Sequence, residues 1–410
     1  MFIVHISFAQ QFINFVSQSK PMIQGLKQIV NGRILTSQGW LRGGSVIIDG
    51  STIVEVSKSE GILEGVTTVI NAKGGDIVPG AIELHAHGAG GSDFMEGTVE
   101  AFRNAIKTHM LHGTTSIYPT LSSSSVPMIE AAIRTTEQLM AEENTPVLGL
   151  HLEGPYFNKE MAGGQMPQYI TPPVKEDYEM LINSTKCIKR WDEAPELRGS
   201  EDFGRFCSTH GVLPAIAHTK AEYMDVSNAY EAGFTHATHF YNAMTGFHKV
   251  REYKHEGTVE SIYAIPDMTV EVIADGIHVP PVMLKIIYDI KGVERTALIT
   301  DALACTDCKD PKAFDPRVII EDGVCKLSDR SALAGSVATS DRLIKVMVKN
   351  VGIRMADAVR MSAETPAHIM GEDHHVGIIR KGYDADITIY DSNIDLQFVM
   401  QKGNIVVNNL

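Results

Sequence analysis

Apolar and polar positions follow two regimes along the chain. From Gln28, short strand-like runs (QIVNGRILT, GGSVIIDG, TIVEVS and TTVINA) are split by turn residues, and the same pattern returns at the far end in DADITIYD and FVMQKGNIVVNN. Strands at both ends need a partner sheet. The simplest topology is a small β-sandwich domain built from residues 28–76 and 371–410, with residues 77–370 inserted into it.

The inserted stretch alternates apolar strand-like runs with helical periodicity. The runs are IVPGAIELHAHG, TTSIYPT, VLGLHLEGP, CIKRWDEAP, VLPAIAHT, FTHATHFYNA, MTVEVIADGIHV and TALITDA. Between them lie segments with room for a returning helix, among them Thr98–Leu111, Val126–Glu143, Val174–Asn183, Glu222–Ala232 and Pro281–Ile290. Eight strand-helix units of this size predict an α/β fold of the (β/α)₈ TIM-barrel type.

The first residues change that picture little. MFIVHISFAQQFINFV is broken by His5, Gln10, Gln11 and Asn14, and it has neither a basic start nor a small-residue cleavage site. It reads as neither signal peptide nor membrane span. Residues 1–27 are therefore read as a leader, with a natural start near Met22.

Composition narrows the function classes. The 410 residues are 44% apolar and 21% charged, which fits an ordinary globular protein and excludes a disordered or collagenous one. The 36 Lys and Arg against 50 Asp and Glu give a net charge of −14, which argues against a nucleic-acid or anionic-membrane binder. Five scattered cysteines make a disulfide framework improbable and point to a reducing, cytoplasmic setting. The pair Cys305 and Cys308 lacks a second CxxC and reads as a loop.

Candidate chemistry gathers at one end of the predicted strands. Strand one ends in His85 and His87, strand three in Glu153, strand five in His218, strand six in His239, strand seven in Asp275 and His278, and strand eight in Asp301. The C-terminal rim is where a barrel of this type places its active site. The spacing of His85 and His87 puts both imidazoles on one face of a strand, because side chains alternate with period two. A buried carboxylate such as Glu153 is costly unless paired or bound to a metal, and His plus carboxylate ligands are a usual catalytic zinc set. Asp301 closes an apolar strand without a cationic partner and is placed to exchange a proton with a metal-activated water. His151 and His236 lie two and three residues before Glu153 and His239 and read as supporting or packed residues. The run Ser122–Ser125 has no strained elbow around it and reads as a loop and helix cap.

With these residues in view, the chain resembles the amidohydrolase superfamily and, within it, the N-acetylglucosamine-6-phosphate deacetylase family. The resemblance runs from Gln28 to the C-terminus and rests on PGAIELHAHG, LGLHLEGPYFN, AIAHT, THFYNAM, VEVIADGIHV, LITDA, LAGS, SAETPAHIMG and GIIRKGYDADI. It implies a barrel of the metal-dependent amidohydrolase type in which Glu153, His218 and His239 bind the principal divalent metal and Asp301 is general base and acid. Zinc ranks first, with iron, manganese and cobalt open. His85 and His87 match the HxH of members with a second metal, so the site holds one ion or two. Asn242 and Ala243 would touch the substrate and His278 the sugar phosphate. An arginine after the NAM motif would complete the phosphate site across a homodimer interface; Arg251 is the candidate, with His248 and Lys249 beside it. The implied reaction removes the N-acetyl group of an amino sugar phosphate, N-acetylglucosamine 6-phosphate first, with no nucleic-acid or membrane partner.

Two departures bear on the substrate. Twelve residues beyond the metal glutamate, the family has a histidine that polarises the amide carbonyl, whereas this chain has Gln165, an amide that donates a hydrogen bond but carries no charge. The segment GFHKVREYKHEG is longer than the compact His-Arg and Pro-Gly stretch of the family. Two alternatives stay open: an amidohydrolase acting on another N-acyl sugar or a cyclic amide, with Lys189 of strand four as a carbamate bridge, and a non-catalytic paralogue.

Overall fold

The computed structural model describes residues 25–309 and 314–410; the leader assigned to residues 1–27 lies almost wholly outside the described residues. Eight parallel strands form the central sheet: Ala81–Ala86, Thr114–Leu121, Leu150–Tyr156, Ile188–Glu193, Leu213–Ile216, His236–Ala237, Thr269–Ile273 and Thr296–Ile299. Each pairs with its sequence neighbour. The last strand returns to the first, with Asp301 N–H donating to the His85 carbonyl at 2.9 Å and His87 N–H to that of Ala302 at 2.8 Å. The sheet thus closes as a (β/α)₈ barrel. Its strands are buried along most of their length and carry few alternating exposed positions, as parallel strands covered by helices must be.

The anticipated helices form with small boundary shifts, as Val99–Leu111, Val126–Met140, Lys175–Ser184, Tyr223–Glu231 and Pro281–Lys291. Thr98 caps the first by accepting the Ala101 N–H at 3.2 Å. Two further helices, Ser200–Thr209 and Thr258–Ala264, complete the seven crossovers between the eight strands.

Among the described residues, two larger sheets lie outside the barrel. One has Leu26–Val30, Ser45–Asp49, Thr52–Ser57 and Val66–Asn71. The other joins Arg33–Thr36, Gly39–Arg42 and Asp76–Pro79 to Ile387–Tyr390, Leu396–Gln401 and Asn404–Asn408. Their inner faces share one core, in which Ile29, Val46 and Ile77 pack with Ile387 and Phe398 from the other end of the chain. The β-sandwich is therefore assembled from both termini.

One apolar run divides where the sequence showed no break. In IVPGAIELHAHG, the segment Asp76–Pro79 pairs with strands of the sandwich, and only Ala81–Ala86 enters the barrel. Gly80 makes the handover. A Cβ at that position would fall 2.2 Å from Thr115 Cγ2, so any larger residue would push the two strands apart.

Candidate functional site

At the C-terminal rim of the barrel lies a cavity of about 460 Å³. Its floor contains His87, Glu153, His218, His239 and Asp301, contributed by five different strands. His85 sits just beneath, fully buried.

Glu153 is the hub. Its Oε1 lies 2.9 Å from His218 Nε2 and 3.0 Å from His239 Nε2, and those two nitrogens are 3.1 Å apart. Each ring's other nitrogen faces a backbone carbonyl, Met161 for His218 at 2.8 Å and Asn242 for His239 at 3.1 Å. A carbonyl only accepts, so both Nδ1 atoms carry the proton and both Nε2 atoms present lone pairs to the same point. Lone pairs that close repel unless a cation lies between them. Ligands about 2.1 Å from a tetrahedral ion stand roughly 3.3 Å apart, so the triangle fits a divalent metal.

A second set adjoins it. His85 Nε2 lies 3.3 Å from His87 Nε2, and His87 Nε2 lies 3.3 Å from Glu153 Oε2 and 3.2 Å from Asp301 Oδ1. Ser122 Oγ stands 3.1 Å from His87 Nδ1. Burial alone would depress the His87 imidazole, but the Asp301 and Glu153 carboxylates outweigh it and hold its pKa at about 9. Burial likewise works against ionising Asp301, and the neighbouring His85 and His87 overcome it and keep this carboxyl below its usual range.

The backbone is bent to make this convergence. His218, His239 and Asp301 have φ of 45°, 29° and 50°, in the left-handed region where a side chain is strained by roughly 1–3 kcal/mol each. Gly154, directly after Glu153, has φ 92°, and a Cβ there would meet Phe157 and Ser123 side-chain atoms at 2.6 Å. Only glycine lets the chain turn away while Glu153 stays in place.

The remaining sequence candidates divide. Asn242, Ala243 and His278 line the cavity, and among the described residues the buried Asn242 Nδ2 and His278 Nε2 have no protein partner. His278 Nδ1 is held by Asp275 Oδ2 at 2.8 Å. Gln165 also lines the cavity, but its amide is engaged: Oε1 accepts the Ser123 N–H at 2.7 Å and Nε2 donates to Glu153 Oε2 at 2.5 Å. His248 and Arg251 are not brought in. They belong to a protruding ribbon, His248–Val250 paired with Tyr253–His255, and neither lines the cavity. The long segment GFHKVREYKHEG thus contains a β-ribbon, with Arg251 exposed at its turn. Lys189 does not reach the site either. It packs outward against Gly149, while Arg190 and Asp192 of the same strand are fully buried.

Several residues at the site were not anticipated. Ser122 and Ser123, read as loop, support His87 and Gln165. Glu83 receives the backbone N–H of His85 and Thr300, while burial pushes its carboxyl up to about 8. Glu271, Arg190 and Asp192 form a charged layer below the site. Their only sequence signal was polarity inside otherwise apolar strands.

The sequence profile of the amidohydrolase family matches residues 77–409. The chain is 29% identical to the N-acetylglucosamine-6-phosphate deacetylase of Haemophilus influenzae over 383 residues, covering 92% of this chain and 98% of that protein. It is 26% identical to an N-acetylgalactosamine-6-phosphate deacetylase of Escherichia coli O157:H7, covering 91% and 97% of the two chains. The crystal structure of N-acetylglucosamine-6-phosphate deacetylase from Pasteurella multocida superposes with a TM-score of 0.86 at 26% identity, covering 93% of this chain and all of that one. The closed barrel, its rim of histidines and carboxylates and a profile match over most of the chain agree: this protein belongs to the amidohydrolase family.

Proposed function

We propose that the protein is a metal-dependent deacetylase of an N-acetylated amino sugar phosphate, with N-acetylglucosamine 6-phosphate as the leading substrate. The observation that carries this reading is the convergence of Glu153 with His218 and His239 beside Asp301, at the floor of a cavity of about 460 Å³. That volume suits one hexose derivative. Likeness over nearly the full length to deacetylases of two amino sugar phosphates supports the substrate class.

Glu153, His218 and His239 would hold the principal ion, zinc first, and His85 with His87 a second. Bound there, a divalent ion supplies a Lewis acid and lowers the pKa of water towards neutrality. Asp301, held ionised by the histidines around it, accepts the proton of the attacking water and passes it to the departing amine. Asn242 and His278, whose buried nitrogens lack protein partners among the described residues, orient the sugar.

Among the described residues no lysine or arginine lines the cavity, and Asp93, Glu160 and Asp315 do. Among those residues a phosphate would meet little positive charge within one chain. The ribbon carrying Arg251 also exposes Phe247, Val250 and Tyr253, the apolar surface that a partner would cover. This supports a homodimer in which Arg251 and His248 of one copy complete the phosphate site of the other.

The test is free-amine release by zinc-reconstituted protein from N-acetylglucosamine 6-phosphate and from N-acetylglucosamine. A strong preference for the phosphorylated sugar is expected. Equal rates would move the assignment to an unphosphorylated N-acyl sugar, and no release from either would overturn it.

A further inference from the structure

Below the cavity floor the barrel interior holds charges that the reaction above does not use. Arg190 and Asp192, two residues apart on the strand Ile188–Glu193, point to the same side and are both fully buried. Arg190 grips Glu271 at two points, Nη1 to Oε2 at 2.5 Å and Nη2 to Oε1 at 2.8 Å. Its Nε donates to Asp192 at 3.1 Å and its Nη2 also to Thr238 Oγ1 at 2.6 Å. Such a bidentate pair sets the rotation of the carboxylate as well as its position.

Glu271 then reaches the metal-facing layer. Its Oε1 lies 2.9 Å from His85 Nδ1, and the same oxygen receives the His239 backbone N–H at 3.3 Å. A carboxylate gripped by a guanidinium stays ionised and acts only as an acceptor, so the proton on His85 must sit on Nδ1. The His85 Nε2 lone pair is thereby turned towards His87 and Asp301. Asp192, the other carboxylate on Arg190, lies 2.9 Å from His151 Nε2, so Glu271 alone serves His85.

We propose that Glu271, clamped by Arg190, is a positioning residue that fixes the ring and tautomer of His85 for metal binding. The proposal rests on reading His85 as a ligand. An ion pair that merely packs the core would affect thermal stability but not metal affinity or the tautomer.

The experiment measures zinc affinity, by competition with a chromophoric chelator, for the wild-type apoprotein, for Glu271→Gln and for the charge-balanced double variant Arg190→Met with Glu271→Gln. The double variant keeps the net charge of the layer and leaves Asp192 its contact with His151, so it is the one expected to fold. Folded variants should bind at least one zinc about 10–100-fold more weakly, and the visible spectrum of the cobalt-substituted protein should change. Wild-type affinity and an unchanged spectrum in a folded variant would overturn the proposal. If neither variant folds, isotope-labelled histidine in the zinc-loaded wild type decides: a proton on His85 Nδ1 supports it and a proton on Nε2 overturns it. None of these readouts involves substrate, so they stand or fall separately from the deacetylase assignment.

Discussion

Gln165 gives its amide to Glu153, Nε2 to Oε2 at 2.5 Å, while Oε1 of the same glutamate faces His218 and His239. The orientation of the amide is fixed by its other end, because Oε1 accepts the Ser123 N–H. A residue expected to meet the substrate carbonyl is therefore tied first to the Glu153 carboxylate.

Replacing Gln165 with leucine should accordingly act through Glu153. Zinc affinity is expected to fall about tenfold or more, with kcat recovering to within a few-fold of wild type once zinc saturates and KM nearly unchanged. Chelator competition and steady-state kinetics on the same preparation check this. Unchanged zinc affinity with a lower kcat/KM would place the role of Gln165 on the substrate instead.

Asp301→Asn separates proton transfer from metal binding. The carboxylate faces His87 across 3.2 Å but is not part of the Glu153, His218 and His239 triangle. Metal content by elemental analysis should stay near wild type, while kcat drops by about 10²–10⁴-fold, the usual worth of a general acid-base group. Retained turnover would remove Asp301 from that role.

The residues that meet at the cavity floor were legible in the sequence because each closes an apolar run, and a barrel gathers such ends at one rim. The layer beneath was not. Whether Lys189 or Arg190 faces inward depends on strand register, and register is set by barrel closure rather than by polarity at either position. The ribbon around Arg251 was missed for another reason: its two strands have three residues each, too few for a period to show. Likewise, Gly80 carries no signal within IVPGAIELHAHG, because its meaning lies in the approach of Thr115 from another strand.

Subunit mixing tests the proposed contribution of Arg251. If the arginine serves the neighbouring copy, Arg251→Ala and Asp301→Asn are each nearly inactive on the phosphorylated sugar, yet a refolded mixture regains activity. Random pairing gives half mixed dimers, each with one restored site, or about a quarter of wild-type activity per subunit. No recovery, together with a monomer by light scattering, would confine Arg251 to its own chain or remove it from the site.

A final prediction concerns stability far from the chemistry. Asp386 is buried beside the strand Ile387–Tyr390, with Oδ1 accepting the Lys402 N–H and Oδ2 unpartnered. Burial raises its pKa from 3.8 to about 7, helped by the nearby Asp384. For a raised acid, folding takes up a proton between those values. Its contribution is therefore fully present below pH 3.8 and is lost as pH rises through about 7. Asp386→Asn keeps the Oδ1 acceptor and removes the charge. The melting temperature of the variant relative to wild type should climb from pH 4 to about pH 7 and then level off, with an upper limit of about 4 kcal/mol for a shift of this size. The unpartnered amide offsets part of that by about 1–3 kcal/mol at every pH, so the slope with pH, not the sign at one pH, is the diagnostic. A pH-independent difference would mean that Asp386 is already ionised in the fold.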